Sequence, residues 1–151
     1  MRVKDVMNKE LHTCKPDTPI DELARRFADG PDYAIVVDDE GRILGMITES
    51  DLVDRERKLH LPTAIAVFDM VIPLGEKRFE EELARMRATK AEELMRLPVR
   101  TIDAEAAIED AAEIFAEEGI HHLPVVEGDR VVGMLTPHAL VRALVHRSSA
   151  S

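Results

Sequence analysis

Between residues 20 and 27 the apolar positions are Ile20, Leu23, Ala24 and Phe27. Their i, i+3, i+4, i+7 spacing lays one apolar stripe along a helix. Ile108, Ala111, Ala112 and Phe115 repeat that stripe further along the chain. Thr18 fits the N-cap of the first helix, Pro19 its N1 position and Asp21 its N3 position. Gly119 fits the stop of the second helix. After each helix the pattern shortens to runs of Ile, Val and Leu bracketed by turn residues. Ala34–Val37 and Arg42–Ile47 flank DDEG, and Leu123–Val126 and Arg130–Leu135 flank EGD, so each pair predicts a buried hairpin. A short extended piece precedes each helix (11–15 and 98–102), and a further helix closes each set (49–58 and 137–147).

The two halves are copies. Met7 matches Met95, Thr13 matches Thr101, Ile20 matches Ile108, Phe27 matches Phe115, Gly45 matches Gly133, and Thr48 matches Thr136. A one-residue gap before Tyr33 and a one-residue insertion in the 38–41 turn cancel. Two compensating loop changes point to duplication of a folded unit. One β-α-β-β-α unit of about 55 residues buries only a marginal core by itself. The expected fold is therefore α/β, with two such repeats packed sheet to sheet about a pseudo-twofold axis, a shared core and two equivalent clefts. The expected boundaries are 1–60 for the first repeat, 61–90 for a helical connecting segment, 91–147 for the second repeat and 148–151 for a tail. Within the connector, Leu61–Leu74 reads either as linker packing or as a subunit contact. GEKRFEEELARMRATK reads as an amphipathic helix with Phe79, Leu83 and Met86 on one stripe, and Thr89 to Glu92 resembles a capping box.

Composition narrows the function classes. Of 151 residues, 45% are apolar and 33% charged, which fits a packed fold rather than wholesale disorder. The net charge of −10 repels duplex nucleic acid and anionic membranes. Screening confines that field to about 8–10 Å, so a local basic pocket for a small anion is compatible with it. The single cysteine, Cys14, excludes an internal disulfide and a Cys-pair metal site. With no leader pattern at the N-terminus, the expected location is the cytoplasm. The longest apolar stretch, LPTAIAVFDMVIPLG, is too short to span a bilayer and contains Asp69, Pro62 and Pro73. There is no Gly-rich phosphate loop, no HExxH and no GxSxG, and the acids fall on helix faces beside Arg and Lys. The expectation is a non-enzyme with no catalytic cofactor and no metal site.

One difference between the copies concerns chemistry. Residues 45–52 read GMITESDL and residues 133–140 read GMLTPHAL, so Asp51 stands where the second copy has Ala139. Thr48-x-x-Asp51 fits a capping box. Thr136 keeps the cap hydroxyl and Pro137 takes N1, so the second helix can start without an acid. Helix geometry alone does not demand Asp51.

The ordered set of β-α-β-β-α units, GMIT and GMLT at the hairpin ends, TESDL opening a helix and GIHHLPVV in the second copy resembles a tandem pair of CBS domains. The resemblance spans about residues 3–56 and 91–147. It implies a stand-alone regulatory module that binds an adenosyl ligand (AMP, ADP, ATP or S-adenosylmethionine) in a cleft between the repeats. It also implies a homodimer and a regulated partner protein of unknown identity. In that family the acid of this motif holds the ribose, and a carboxylate's two oxygens match a vicinal diol. Asp51 and Thr48 are thus the implied sugar contacts, with the helix N-terminus beside them suited to phosphate. Carried over in the same way, the base would rest near Arg100, Thr101, Ile102, Ile120, His121, His122 and Pro124. Arg100 reads equally as a phosphate contact or a solvated surface residue. His121 and His122, adjacent on a strand, would face opposite ways. The first-copy counterpart slot has Thr13, Cys14, Asp32, Tyr33 and Ala34, with no proline and an acid near the phosphate position. The expectation is one competent cleft and one degraded cleft at Thr136 and Ala139. The alternative is a structural or interaction module whose clefts are vestigial.

Overall fold

The computed structural model describes residues 1–53, 87 and 89–150. The expected 54–58 turn of the helix after Thr48, the Leu61–Leu74 stretch and the Phe79–Leu83–Met86 stripe lie outside the described residues. The elements run α1 (Val3–Val6), β1 (Thr13–Cys14), α2 (Ile20–Asp29), β2 (Tyr33–Val37), β3 (Ile43–Thr48) and α3 (Glu49–Leu52). They continue with α4 (Ala91–Leu94), β4 (Ile102–Asp103), α5 (Ile108–Glu118), β5 (Leu123–Glu127), β6 (Arg130–Leu135) and α6 (Pro137–Ala150). The architecture is mixed α/β, with two three-stranded sheets of order β1-β2-β3 and β4-β5-β6. β1 runs parallel to β2 and β4 parallel to β5, the crossovers being the striped helices α2 and α5, while β5 and β6 form an antiparallel hairpin. The β-α-β-β-α order read from the sequence is therefore present in both halves.

The chain packs as two units. One comprises His12–Asp38 and the described part of Leu44–Pro98. Its core joins Ile20, Leu23, Ala24 and Phe27 of α2 to Ala34, Val36, Ile47 and Leu52, and to Ala91 and Leu94 of α4. The other comprises Met1–Leu11, Asp39–Ile43 and the described part of Val99–Ser151. Its core joins Ala111, Leu123, Val125 and Leu135 to Val3 of α1, with Val6, Met7 and Phe115 packed against it. Each sheet is thus covered by the short leader helix of the opposite sequence repeat. Val3 N–H donates to Ala106 O at 2.8 Å, and Ala91 N–H donates to Thr18 O at 2.8 Å.

Both docks use a glycine. A Cβ at Gly45 would lie 2.7 Å from Met95 Cγ, and one at Gly133 would lie 2.8 Å from Met7 Cγ. The matched Met and Gly positions of the two copies therefore meet crosswise, the thioether of each leader lying over a bare strand backbone.

Two helix starts differ from expectation by one residue. α2 begins at Ile20 with Pro19 as its cap, and the Thr18 hydroxyl accepts from Lys15 N–H at 3.0 Å. The side chain that the spacing suggested as a cap closes the preceding turn instead. α4 is capped at Lys90 rather than Thr89, with Glu93 Oε2 accepting from Lys90 N–H at 2.6 Å. Gly119 ends α5 in the left-handed conformation, φ 64°, as the sequence predicts. Among the described residues no helix is long and apolar enough to cross a membrane.

Candidate functional site

β3 delivers Thr48 to the head of α3, and one helical turn brings Asp51 back over it. Asp51 is fully buried. Its Oδ2 accepts from Thr48 N–H at 2.9 Å and from Thr48 Oγ1 at 3.2 Å, which closes the capping box that the spacing predicts. Ser50 Oγ lies 2.9 Å from Thr48 Oγ1. The other carboxylate oxygen, Oδ1, is taken by the guanidinium Nε of Arg96. A buried charge needs such a partner, because removing an ion from water without one costs several kcal/mol.

Arg96 is placed by its backbone. Its N–H donates to Met46 O at 2.9 Å and its carbonyl accepts from Met46 N–H at 3.1 Å, which extends the β3 edge by one bridge. The Arg96 side chain is 56% exposed although the acid that it meets is not exposed at all. Sequence reading missed Arg96, which lies in the segment between α4 and β4, where a solvated arginine is the default.

The second copy builds the same corner without charge. Thr136 Oγ1 accepts from Ala139 N–H at 3.2 Å, and Thr136 O accepts from Leu140 N–H at 3.1 Å. Asn8 bonds Met134 through the same pair of backbone contacts, at 2.8 and 2.9 Å. The cap hydroxyl with Pro137 therefore starts α6, as the sequence suggests.

The residues implied as base and phosphate contacts lie in the other unit. Ile102 on β4 is buried and pairs in register with Val125. Pro124 is buried in the middle strand β5, opposite Met134. Its missing N–H removes no bond to β6, because the Met134 N–H and C=O are bonded to Asn8. Ile120 packs against that unit's core, and Thr101 is half-buried. Arg100 is exposed and its Nε donates to Glu118 Oε2 at 2.9 Å. His121 is exposed and His122 half-buried, and both precede β5, which begins at Leu123. Strand alternation therefore does not set their directions. In the first copy, Tyr33 is buried, with its ring edge-on to His12 at a centroid distance of 5.4 Å.

The family model of the CBS domain matches residues 3–58 and 91–146 of the chain. An uncharacterised protein of Methanocaldococcus jannaschii is 27% identical over 154 residues, covering 96% of this chain and 92% of its own. The CBS domain of a membrane protein from Sphaerobacter thermophilus superposes with a TM-score of 0.75 at 26% identity, over 94% of this chain and 86% of that one. CBSX2, crystallised in complex with AMP, superposes with a TM-score of 0.72 at 22% identity, over 97% and 98% of the two chains.

Proposed function

The chain belongs to the CBS-domain family, and from that premise we propose that it is a regulatory sensor module for an adenosyl ligand, with AMP, ADP, ATP and S-adenosylmethionine as the candidates. The observation that carries the reading is Asp51, a buried carboxylate at the head of α3 whose counterpart position, Ala139, shows that the fold can build this corner without an acid. CBSX2, a fold neighbour, has been crystallised with AMP. In this reading Asp51 accepts the two ribose hydroxyls and Thr48 supports it. Ile102, Ile120 and Pro124 are the proposed apolar contacts of the base, and Arg100, Thr101, His121 and His122 the proposed polar ones. The module regulates a partner protein rather than catalysing a reaction, and ligand binding acts by shifting populations.

Titration calorimetry with the four candidates tests this. Asp51→Ala should weaken binding roughly ten- to a hundredfold, the equivalent of a charged hydrogen bond. If none of the four binds the unaltered chain at millimolar concentration, the reading is wrong.

A second reading, a structural module that works through self-association, is favoured by α6. Val141, Leu144 and Val145 are exposed on it at 57%, 41% and 57%, in an i, i+3, i+4 stripe. A homodimer joined by these helices should dissociate in sedimentation equilibrium on Val141→Glu, with no dependence on any adenosyl compound.

A further inference from the structure

We infer that Arg96 is an exchangeable counter-ion of Asp51, and that it makes this corner select a phosphorylated ligand over a neutral or cationic one. The inference rests on Asp51 being the acceptor of the ligand's diol. Asp51 Oδ2 is bound into the helix cap, and Oδ1 carries the Arg96 guanidinium. A diol hydroxyl that approaches Oδ1 competes with Arg96 for that oxygen, and a full exchange releases the guanidinium.

The pair is built for such an exchange. Asp51 is buried and fixed by the cap, whereas the Arg96 side chain is more than half exposed. The Arg96 backbone is held by both of its bonds to Met46. Displacement therefore swings the side chain about a fixed Cα and leaves the cation within one side-chain length of the bound sugar. A neutral nucleoside gives that cation nothing in place of the carboxylate. S-adenosylmethionine puts a cationic sulfonium where AMP has its phosphate, and reaches a carboxylate only at the far end of its methionyl chain. A nucleotide supplies a phosphate on the sugar itself, and guanidinium–phosphate pairs are among the strongest charge-assisted bonds.

The second copy is an internal control. Asn8 stands where Arg96 stands and Ala139 where Asp51 stands, yet the leader dock and the helix start are both made. Neither charge is needed for the fold at this corner, and the two charges are absent together.

Calorimetry on the full chain with AMP, adenosine and S-adenosylmethionine tests the inference. The unaltered protein should prefer AMP to the other two. Arg96→Gln should lower the AMP-to-adenosine affinity ratio by roughly tenfold, while Arg96→Lys, which keeps the cation, should retain most of it. In the unaltered chain the same ratio should shrink as salt rises from about 50 mM to about 500 mM, a measurement that needs no variant to fold. A ratio unchanged by Arg96→Gln, or independent of salt, overturns the Arg96 inference, and if Asp51→Ala still weakens binding roughly ten- to a hundredfold the sensor reading stands without it. Absence of binding by all three compounds to the unaltered chain and to Arg96→Gln overturns both.

Discussion

Replacing Gly45 with alanine probes how tightly the second repeat's leader is seated on the first sheet. The added methyl would lie 2.5 Å from Met95 Sδ, 2.7 Å from Cγ and 2.9 Å from Cβ. The sulfur and Cγ can rotate away. Cβ cannot move unless the chain after α4 moves, and the Arg96–Met46 backbone bonds at 2.9 and 3.1 Å hold that chain. Overpacking of this kind costs about 1–3 kcal/mol, and a clash that reaches Cβ places it in the upper half, about 2–3 kcal/mol. For a chain of this size that lowers Tm by about 5–10 °C. In urea the midpoint should fall with the slope unchanged, since the surface exposed on unfolding is the same. Met95→Gly removes all three clashing atoms, so the Gly45→Ala substitution should be at least about 1 kcal/mol milder in that background. A loss under about 0.5 kcal/mol for the single variant, or strict additivity in the double variant, refutes the close seating of leader on strand. Gly133→Ala should behave alike, because its methyl would meet Met7 Cγ at 2.8 Å and the backbone O of Asn8 at 3.2 Å.

The remaining predictions concern other links in the fold. Val3→Ala, which empties a fully buried site in the core around α5 and β5, should cost about 2–3 kcal/mol in denaturant titration despite its place at the chain's start. Thr136→Ala removes the hydroxyl that caps α6 and should cost about 0.5–2 kcal/mol; an unchanged midpoint would assign the helix start to Pro137 alone. Burial pushes the Cys14 thiol up from 9.0 to about 11, so the unfolded chain loses this proton first as pH rises. Stability attributable to Cys14 should be constant below pH 9 and fall by about 2–3 kcal/mol towards pH 11, and Cys14→Ala should lack that decline in a urea-midpoint series against pH.

The strands and the two striped helices were legible in the sequence because their patterns are local. Ile20, Leu23, Ala24 and Phe27 needed only the period of a helix to be assigned to one face, and all four are buried. Gly119 needed only its place after the last apolar turn. The leaders were harder to place. Val3 and Val6 in α1, or Ala91 and Leu94 in α4, announce that a four-residue segment is buried without saying against what. Contiguity along the chain suggests that each leader covers its own repeat, yet each covers the other's sheet. The paired matches of Met7 with Met95 and Gly45 with Gly133 contained the clue. A bare glycine backbone in a strand signals the close approach of something, and a conspicuous methionine in each leader was available to approach it.

The corner at Asp51 divides in the same way. The acid could be found because a local motif places it, and its absence at Ala139 marks it. Arg96 could not be found locally, because it reaches Asp51 only through the crosswise dock of α4 on the first sheet. Once that dock is known, the internal repeat becomes informative a second time. Superposing the copies sets Asn8 on Arg96 and Ala139 on Asp51, so an acid and a base far apart in the chain are both missing from the same corner. A buried acid needs a counter-ion whatever it is kept for, so the guanidinium follows the acid, and what calls for a reason is the acid itself, since Thr136 starts α6 with neither. An acid kept for a ligand does have a reason to stay in one copy alone, and the arginine stays with it as the partner that its burial requires until a ligand replaces it.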